Sequence, residues 1–312
     1  MVKHTETPGD EWRLTTRISQ LARGSKTSGK TPGVILGIGD DCAIYRSRGA
    51  AEDMLFTTDL LVEGTHFRRG THTPEDIGWK AVARGLSDIA AMGGEPRFCL
   101  VSLALAPGGD AAWVEKFYRG LLKLAAREGA PLIGGDLASG ERLMCDIVVA
   151  GAVPRGAAIL RSGARPGDAI YVSGELGASA LGRATGRGRA WKRHLRPEPR
   201  LQLGRFLRGR ASAAMDLSDG ISLDLRRLCL ASGLHASIEA PPRFSGATLE
   251  QALHGGEDYE LLFTAPATTR IPREFEGLLL TRIGTMRKGQ RGAIFLDSER
   301  LAPLGYDHFR KP

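Results

Sequence analysis

Acidic residues beside glycine or hydroxyl residues recur at five places along the 312-residue chain. Each cluster lies at the end of an apolar run or inside one, which brings charge next to the protein interior. The five clusters are Gly39-Asp40-Asp41, Thr57-Thr58-Asp59, Leu86-Ser87-Asp88, Gly134-Gly135-Asp136 and Asp216-Leu217-Ser218-Asp219-Gly220. A single Asp after a strand is usually a turn or cap residue. Five such clusters together favour a set of ligands that converges in the fold.

Carboxylate and hydroxyl oxygens are the ligands that Mg²⁺ prefers, usually in combination with substrate phosphates. Asp41, Thr58, Asp59, Asp88 and Asp136 offer this donor set. Glycine-rich turns beside them let backbone N–H groups approach phosphate oxygens. The four cysteines lie far apart and show no zinc-site spacing. The clusters therefore predict a polyphosphate held through several Mg²⁺ ions.

The helix predicted from Pro74 to Met92 must position one of these acids, Asp88. Thr73 and Pro74 are a good N-cap and N1 pair, and Gly93-Gly94 ends the helix. At 3.6 residues per turn, the faces on both sides of this helix are largely apolar. A buried carboxylate is costly unless it is paired or bound to a metal. Arg84, one turn earlier, is the alternative partner, so both interpretations stay open at this stage.

In the stretch GIGDDCAIY, Asp41 is the expected ligand and Asp40 the residue that fixes the turn, because neighbouring side chains on an extended chain point apart. Two nucleotide motifs nearby are excluded. Residues 24–31 match the P-loop pattern, but a helix precedes them and a strand follows, the reverse of the P-loop order. A flexible surface loop explains them better. The dinucleotide fingerprint fails because Cys42 replaces its third glycine.

Strands alternate with helices throughout, which predicts α/β or α+β layers in both halves. Predicted strands cover residues 34–38, 54–58, 98–106, 132–133, 147–153, 235–238, 259–264, 279–283 and 293–296. Predicted helices cover 11–23, 74–92, 110–128, 178–183, 197–208 and 222–232. We place the domain boundary at 153/154. The domains are then an N-terminal domain of residues 1–153 and a C-terminal α+β domain of residues 154–312.

The charge balance admits a second class of function. The net charge is +8, and the segment from Arg183 to Arg210 holds ten cations interleaved with Trp191 and Phe206. Such a segment can bind nucleic acid, but no RNP, KH or zinc-finger pattern supports that alternative. The longest apolar run is roughly half of the ~20 residues that a membrane helix needs. Together with the unpaired cysteines, this predicts a cytoplasmic protein with no membrane or nucleic-acid partner.

The order of the motifs resembles one family. GIGDDCAIY, TTDLLVEGTHF, LSDIAAMGGEP, LIGGD, RSGARPGD, KRHLRPEPR, MDLSDG, GGEDYEL and GYDHF stand in the order and spacing of the thiamine-monophosphate kinases. These belong to the superfamily of aminoimidazole-ribonucleotide synthase and selenophosphate synthetase. The resemblance implies the two-domain fold of that superfamily and Mg²⁺-dependent phosphorylation of thiamine monophosphate by ATP. It also implies that residues 1–153 bind ATP and Mg²⁺ and form a homodimer through their sheet, and that residues 154–312 close over the site.

The resemblance also assigns site residues by motif. The implied metal ligands are Asp41, Thr57, Thr58, Asp59, Asp88, Asp136, Asp216 and Asp219. The implied ATP contacts are Tyr118, Gly135, Asp136, Arg161 and Ser218. The implied thiamine contacts are His66, Glu257 and Tyr306. No catalytic residue is expected beyond these ligands, because the acceptor is itself a phosphate, largely ionised at neutral pH, and needs no strong general base. For Arg161, a surface ion pair is the alternative to a phosphate clamp.

Other branches of the superfamily are less consistent with the residues. Selenophosphate synthetases carry a reactive Cys or selenocysteine in the N-terminal loop, and hydrogenase-maturation relatives end in Cys. Residues 20–39 contain no Cys and the chain ends FRKP. Aminoimidazole-ribonucleotide synthase stays an alternative on fold, although GGEDYEL and GYDHF favour the thiamine enzyme.

Overall fold

The computed structural model of the chain describes residues 10–24, 32–107 and 110–309. The helices are α1 (Asp10–Gly24), α2 (Pro74–Ala91), α3 (Ala111–Arg127), α4 (Ala178–Thr185), α5 (Gly188–Leu195), α6 (Leu201–Leu207), α7 (Ile221–Ser232) and α8 (Leu249–His254). Within the described ranges, none of these helices has both the length and the apolar character needed to cross a membrane.

The strands form two sheets. They are β1 (Val34–Leu36), β2 (Ala43–Tyr45), β3 (Glu52–Val62), β4 (Glu95–Leu105), β5 (Leu132–Ser139), β6 (Met144–Pro154), β7 (Ala169–Ser173), β8 (Ala213–Asp216), β9 (His235–Ile238), β10 (Leu261–Ala265), β11 (Glu274–Phe275), β12 (Leu278–Arg287), β13 (Ile294–Leu296) and β14 (Glu299–Arg300). The first sheet has the order β1-β2-β3-β6-β4-β5, and the second runs β14-β13-β9-β12-β7-β10-β8 with β11 paired to β12. Both sheets are mixed, because β4 pairs with β5 and β9 with β13 in parallel. The mixed α/β class predicted from the sequence is confirmed.

Helix α2 lies at the centre of the molecule. Thr73 caps it by accepting a hydrogen bond from the Asp76 N–H, and Pro74 is its first residue, as the sequence predicts. Against α3 the backbones approach closely, since a Cβ on Gly78 would lie 2.0 Å from the Phe117 carbonyl oxygen. At this crossing α2 and α3 therefore pack so closely that only a glycine fits at position 78.

The core around α2 draws on both halves of the chain. Leu86 of α2 belongs to one cluster with Leu55 of β3 from the first sheet. The same cluster includes Leu203 of α6 and Phe263 of β10 from the second half. Because both sides of α2 are covered, its polar residues Asp76, Lys80 and Ser87 are buried as well.

The basic segment contains a helix that the sequence patterns do not indicate, α5, and its charges are largely paired. Arg193 and Arg200 both bind the fully buried Glu260, at 2.5 Å for Arg193. Arg196 binds Asp76 at the start of α2. The segment thus joins the two halves by ion pairs. The P-loop-like residues 25–31 lie outside the described part of the chain.

One face of the first sheet carries exposed apolar side chains. Tyr45 of β2 is 40% exposed, and Phe56 and Leu60 of β3 are 37% and 49% exposed. Neighbouring residues on a strand point to opposite sides, so Phe56 and Leu60 face away from α2, whereas Leu55 faces it. We call this the open face of the first sheet.

Candidate active site

A cavity of about 1240 Å³ is lined by both halves of the chain. Asp59 and Asp88 contribute from the first half, and Asp216, Glu257 and Tyr306 from the second. It is the place where most of the site residues predicted from the sequence meet.

Three of the predicted metal ligands form a cluster at one end of the cavity. Asp41 follows β1, Asp88 is on α2, and Asp216 ends β8. Each offers a carboxylate oxygen, and these oxygens all lie within 4.8 Å of one another. The Asp41 Oδ2 atom is buried and has no hydrogen-bond partner among the described residues. The arrangement is a carboxylate cluster with an unused ligand atom.

The electrostatics of this carboxylate cluster favour a bound cation. Burial raises the pKa of Asp88 well above its usual range, and the nearby charge of Asp59 raises it further. Burial and the charge of Asp41 likewise raise the pKa of Asp216 well above normal. Hydroxyl donors offset this only partly, with Thr57 at 2.5 Å from Asp88 and Ser87 at 2.8 Å from Asp216. The all-oxygen donor set fits a hard divalent cation such as Mg²⁺.

Arg84 pairs with Asp59, at 2.8 Å between Nη2 and Oδ1. The pairing of Arg84 with Asp88, which the spacing along the helix left open, is not the one the structure has. Asp88 instead joins the carboxylate cluster. Among the described residues no arginine forms a hydrogen bond with Asp88, although the Arg84 guanidinium lies close enough to interact with its charge.

Arg161 lies beside the carboxylate cluster. Its Nη2 atom binds Asp41, and its side chain is 20% exposed. The ion pair that the sequence left open is therefore present, but it lies largely buried beside the carboxylate cluster and not on the surface. The Arg161 Nε atom is buried, lies 3.8 Å from Asp40 Oδ1 and has no hydrogen-bond partner among the described residues, so the guanidinium retains a donor for a ligand.

Asp40 holds the turn, as the sequence predicts. Its side chain accepts the Asp41 N–H at 3.0 Å and the Arg161 N–H at 3.1 Å. Burial and the adjacent Asp41 raise the pKa of Asp40 to about 6. This carboxyl thus connects the β1–β2 loop to the segment that follows β6.

Asp219, a further predicted metal ligand, lines the cavity after β8 and is bound by Arg227 of α7. Ser218 lines the same wall. The backbone there is tied to the tail, because the Tyr306 N–H donates to the Asp219 carbonyl at 2.8 Å. The loop after β8, which carries Asp219, is thus bonded directly to the C-terminal tail.

The opposite end of the cavity is aromatic. The rings of His66 and His308 lie 5.1 Å apart, and Tyr306 lies 4.8 Å from His308. His66 accepts the Val62 N–H on Nδ1, and burial lowers its pKa to about 3, so the ring is neutral and carries its hydrogen on Nε2. That Nε2–H is buried and has no partner in the described ranges. Because His66 lines the cavity, this N–H is a donor available to a ligand there.

Glu257 lies beside this aromatic wall and is held by a buried cation. Lys80 of α2 is fully buried, and its Nζ lies 2.6 Å from Glu257 Oε1. Although burial alone would raise it, the pKa of Glu257 is lowered well below its usual range, chiefly by the charge of Lys80. Glu257 also has a φ of 60°, which non-glycine residues rarely adopt. The structure therefore keeps Glu257 as an ionised carboxylate in one orientation.

Four predicted site residues are brought neither to the carboxylate cluster nor to the aromatic end of the cavity within one chain. Thr58 bonds Asp146 at 2.8 Å on the open face of the first sheet. Tyr118, Gly135 and Asp136 line a separate depression of about 520 Å³. Two strands, β6 and β4, lie between β3 and β5, which places Asp136 about 14 Å from the β3 backbone at 4.8 Å per strand.

Sequence reasoning missed several lining residues. Arg84, Arg227 and His308 line the cavity but were given no site role. For His308 the signal was available, because it lies in the motif GYDHF beside Tyr306. For the two arginines the sequence offers no such motif.

A comparison with models of protein families matches part of the first half of the chain. A family model described as AIR synthase related protein, N-terminal domain, matches residues 39–153. This range holds the first sheet from β2 onward and most of the metal-ligand motifs.

Full-length relatives define the family. A thiamine-monophosphate kinase of Escherichia coli strain K12 is 39% identical over 97% of this chain and 99% of its own length. One from Haemophilus influenzae is 42% identical over 89% of this chain and 93% of its own. A solved structure described as AaThiL complexed with AMPPCP and TMP is 31% identical, with a TM-score of 0.83, over 98% of this chain and 100% of the other. The chain belongs to the thiamine-monophosphate kinase family.

Proposed function

We propose that this protein transfers the γ-phosphoryl group of ATP to thiamine monophosphate, yielding thiamine diphosphate and ADP. The observation that carries the proposal is one cavity with a carboxylate cluster at one end and an aromatic wall with an ionised Glu257 at the other. Membership of the family supports it. So does the related structure, which is described as holding AMPPCP and TMP.

Asp41, Asp88 and Asp216 would hold Mg²⁺, with Thr57, Asp59 and Asp219 close by. The unpartnered Asp41 Oδ2 and the raised pKa values of Asp88 and Asp216 support this assignment. When bound, Mg²⁺ neutralises charge on the phosphates and aligns them for transfer. Such metal dependence is part of the proposal.

The residues of the chain do the rest by positioning. Arg161, whose Nε has no hydrogen-bond partner among the described residues, would bind a phosphate of ATP from the side of Asp41. Ser218 would contact the nucleotide beside it. The acceptor phosphate is largely ionised at neutral pH, so no side chain needs to remove a proton from it before attack.

The aromatic end would bind the thiamine moiety. Its cationic thiazolium ring is complementary to the ionised Glu257, and its flat rings fit against Tyr306 and His308. The Nε2–H of His66 supplies a hydrogen bond from the neutral ring. The two ends of the cavity would thus fix the two ends of the acceptor.

The test is direct. Purified protein is incubated with ATP, thiamine monophosphate and Mg²⁺, and products are separated by chromatography. We expect thiamine diphosphate only when Mg²⁺ is present. Folded protein that forms no product with saturating substrates would refute the proposal, and equal product in the presence of excess chelator would refute the metal requirement.

We further propose a homodimer formed through the open face of the first sheet. The exposed Tyr45, Phe56 and Leu60 support it, since apolar residues clustered on one face mark association surfaces. Asp136 and Thr58 also lie on this face. A dimer would therefore bring both residues of one chain close to the other chain. Light scattering during size-exclusion chromatography tests the proposal, and a monomer at micromolar concentration would overturn it.

Action in the cytoplasm is also proposed. It is supported by the four cysteines, which are all buried and free of disulfides in the structure. Oxidised and reduced protein should therefore show the same mass after alkylation of the unfolded chain. A disulfide in protein purified without reductant would contradict the proposal.

A further inference from the structure

Helix α2 carries three charged side chains that are one turn apart, Lys80, Arg84 and Asp88. At 1.5 Å per residue, about 6 Å of helix axis separates each from the next. Lys80 holds Glu257 at the aromatic end of the cavity, and Asp88 belongs to the carboxylate cluster at the other end. Arg84 therefore lies between the two ends, and it lines the cavity.

The Arg84 guanidinium is not saturated by its protein contacts. Nη2 donates to Asp59 at 2.8 Å and Nη1 to the Leu60 carbonyl at 3.4 Å. Nε is buried and has no partner in the described part of the chain. A guanidinium has five N–H donors in a rigid fork, so several remain for a ligand. The side chain is held in place and aimed into the cavity.

The middle of the cavity needs a group that binds an anion. Thiamine monophosphate carries its phosphate at the end of an arm that leaves the thiazolium ring. With the rings at the aromatic end and the nucleotide phosphates at the carboxylate cluster, that phosphate must lie between them. A guanidinium binds phosphate oxygens through paired N–H bonds, which an ammonium cannot reproduce.

We propose that Arg84 binds the phosphate of thiamine monophosphate and orients the oxygen that attacks ATP, an inference that rests on the proposed function. In the step it serves, one phosphate oxygen forms a bond to the γ-phosphorus. The bond from that phosphorus to the β,γ-bridging oxygen breaks, and ADP leaves with the electron pair. Arg84 neither gains nor loses an atom; it touches the acceptor and so contributes to specificity for a phosphorylated substrate.

The competing role is structural, in which Arg84 only neutralises Asp59. The two roles predict different measurements. A residue that only supports Asp59 would change the Mg²⁺ concentration required for half-maximal activity. A residue that binds the acceptor phosphate would change the preference for thiamine monophosphate over thiamine.

The experiment is calorimetric titration of the full-length protein with thiamine monophosphate and, separately, with unphosphorylated thiamine. The variants are Arg84→Gln and Arg84→Lys. The control is Arg46→Gln, which removes an arginine paired with the buried Asp53 outside the cavity. Thermal unfolding of each variant shows that it is folded, and Arg84→Lys keeps the charge if the Gln variant is unstable.

We expect Arg84→Gln to bind thiamine monophosphate about 10- to 100-fold more weakly, as for the loss of a hydrogen bond to a charged group. Binding of thiamine should change less than twofold, the Lys variant should be intermediate, and the control should match the wild type. If Arg84→Gln weakened the binding of thiamine monophosphate and of thiamine equally, the role of Arg84 would be refuted and the proposed function would stand. The same holds if the variant needed more Mg²⁺ but kept the wild-type preference for thiamine monophosphate. A wild-type protein that forms no thiamine diphosphate would overturn the proposed function and this inference with it.

Discussion

Replacement of Asp88 by Asn tests whether this buried carboxylate serves a metal or the fold. The change removes the charge and keeps the shape of the side chain. Asp88 lies in a carboxylate cluster whose oxygens are within 4.8 Å of one another. At an effective dielectric constant of 20, each pair of like charges at that distance repels by about 3.5 kcal/mol. Metal-free protein should therefore gain stability from the substitution.

The expected gain is smaller than the full repulsion. Burial raises the pKa of Asp88, so the metal-free protein already relieves part of the repulsion by holding a proton. We expect an increase of about 1–2 kcal/mol in the free energy of unfolding, measured by denaturant titration with a chelator present. A purely structural aspartate would give a loss instead.

Activity should move in the opposite direction. Removing one charged partner of a buried ionic contact costs about 3–5 kcal/mol, which corresponds to roughly 10²- to 10⁴-fold in kcat/KM. The assay is formation of thiamine diphosphate at several Mg²⁺ concentrations. Near-normal turnover, or a large loss of metal-free stability, would refute the reasoning and return Asp88 to a structural role.

The matched control is Asp168→Asn. Asp168 is also buried, but it accepts hydrogen bonds from the Arg165 N–H and the Ser212 hydroxyl outside the cavity. It should lose stability and keep its turnover. The two buried aspartates are thus expected to show opposite patterns.

Three further predictions follow from buried or exposed side chains. Lys80→Met should cost about 3 kcal/mol of unfolding free energy, because it removes the nearest cation from the Glu257 carboxylate and leaves Arg183, 3.6 Å away, as its charged partner, and adding Glu257→Gln should recover most of the loss in the same denaturant titration. Phe56→Glu should convert the proposed dimer to a monomer in light scattering, whereas the same change at Leu279, a more exposed apolar residue of the second half, should not. Burial lowers the pKa of His194 to about 3, so the unfolded chain takes up its proton first and stability falls as the pH drops below 6.5. His194→Gln should abolish one histidine's share of this loss, about 2 kcal/mol between pH 6.5 and 5; an unchanged pH slope would contradict the assignment.

The carboxylate cluster was predictable because each ligand has a local signature. Asp41 and Asp216 stand at the ends of apolar runs beside glycine or hydroxyl residues, and Asp88 interrupts the apolar surface of a well-capped helix. Such signatures depend on nearest neighbours and on helix periodicity alone. They do not require knowledge of which strands pair.

Partners that are distant in sequence were not predictable. The spacing of Arg84 and Asp88 shows that a pair is available, but Asp59 comes within reach only because β3 packs against α2. Strand order likewise cannot be read from the motifs, so the separation of Asp136 from the other ligands appeared only in the sheet. Both depend on tertiary contacts.

The basic segment shows the same limit. In the sequence its charges form a continuous run, typical of a surface that binds polyanions. In the structure Arg193 and Arg200 bind the buried Glu260, while Arg208 binds Glu95 in the first half. Much of the positive charge is therefore already neutralised inside the molecule. The short helix α5 was missed because charged residues hide its apolar positions.

The position of α2 has a consequence for how the chain folds. Leu86 shares a single core with Leu203 and Phe263, and a Cβ on Gly204 of α6 would lie 2.1 Å from the Ala90 carbonyl. A fragment ending at residue 154 would expose this side of α2 to water. The two halves should therefore unfold in one cooperative transition. A chimera that joins the first half of this chain to the second half of a relative would fold only if the relative's residues fit the surface of α2.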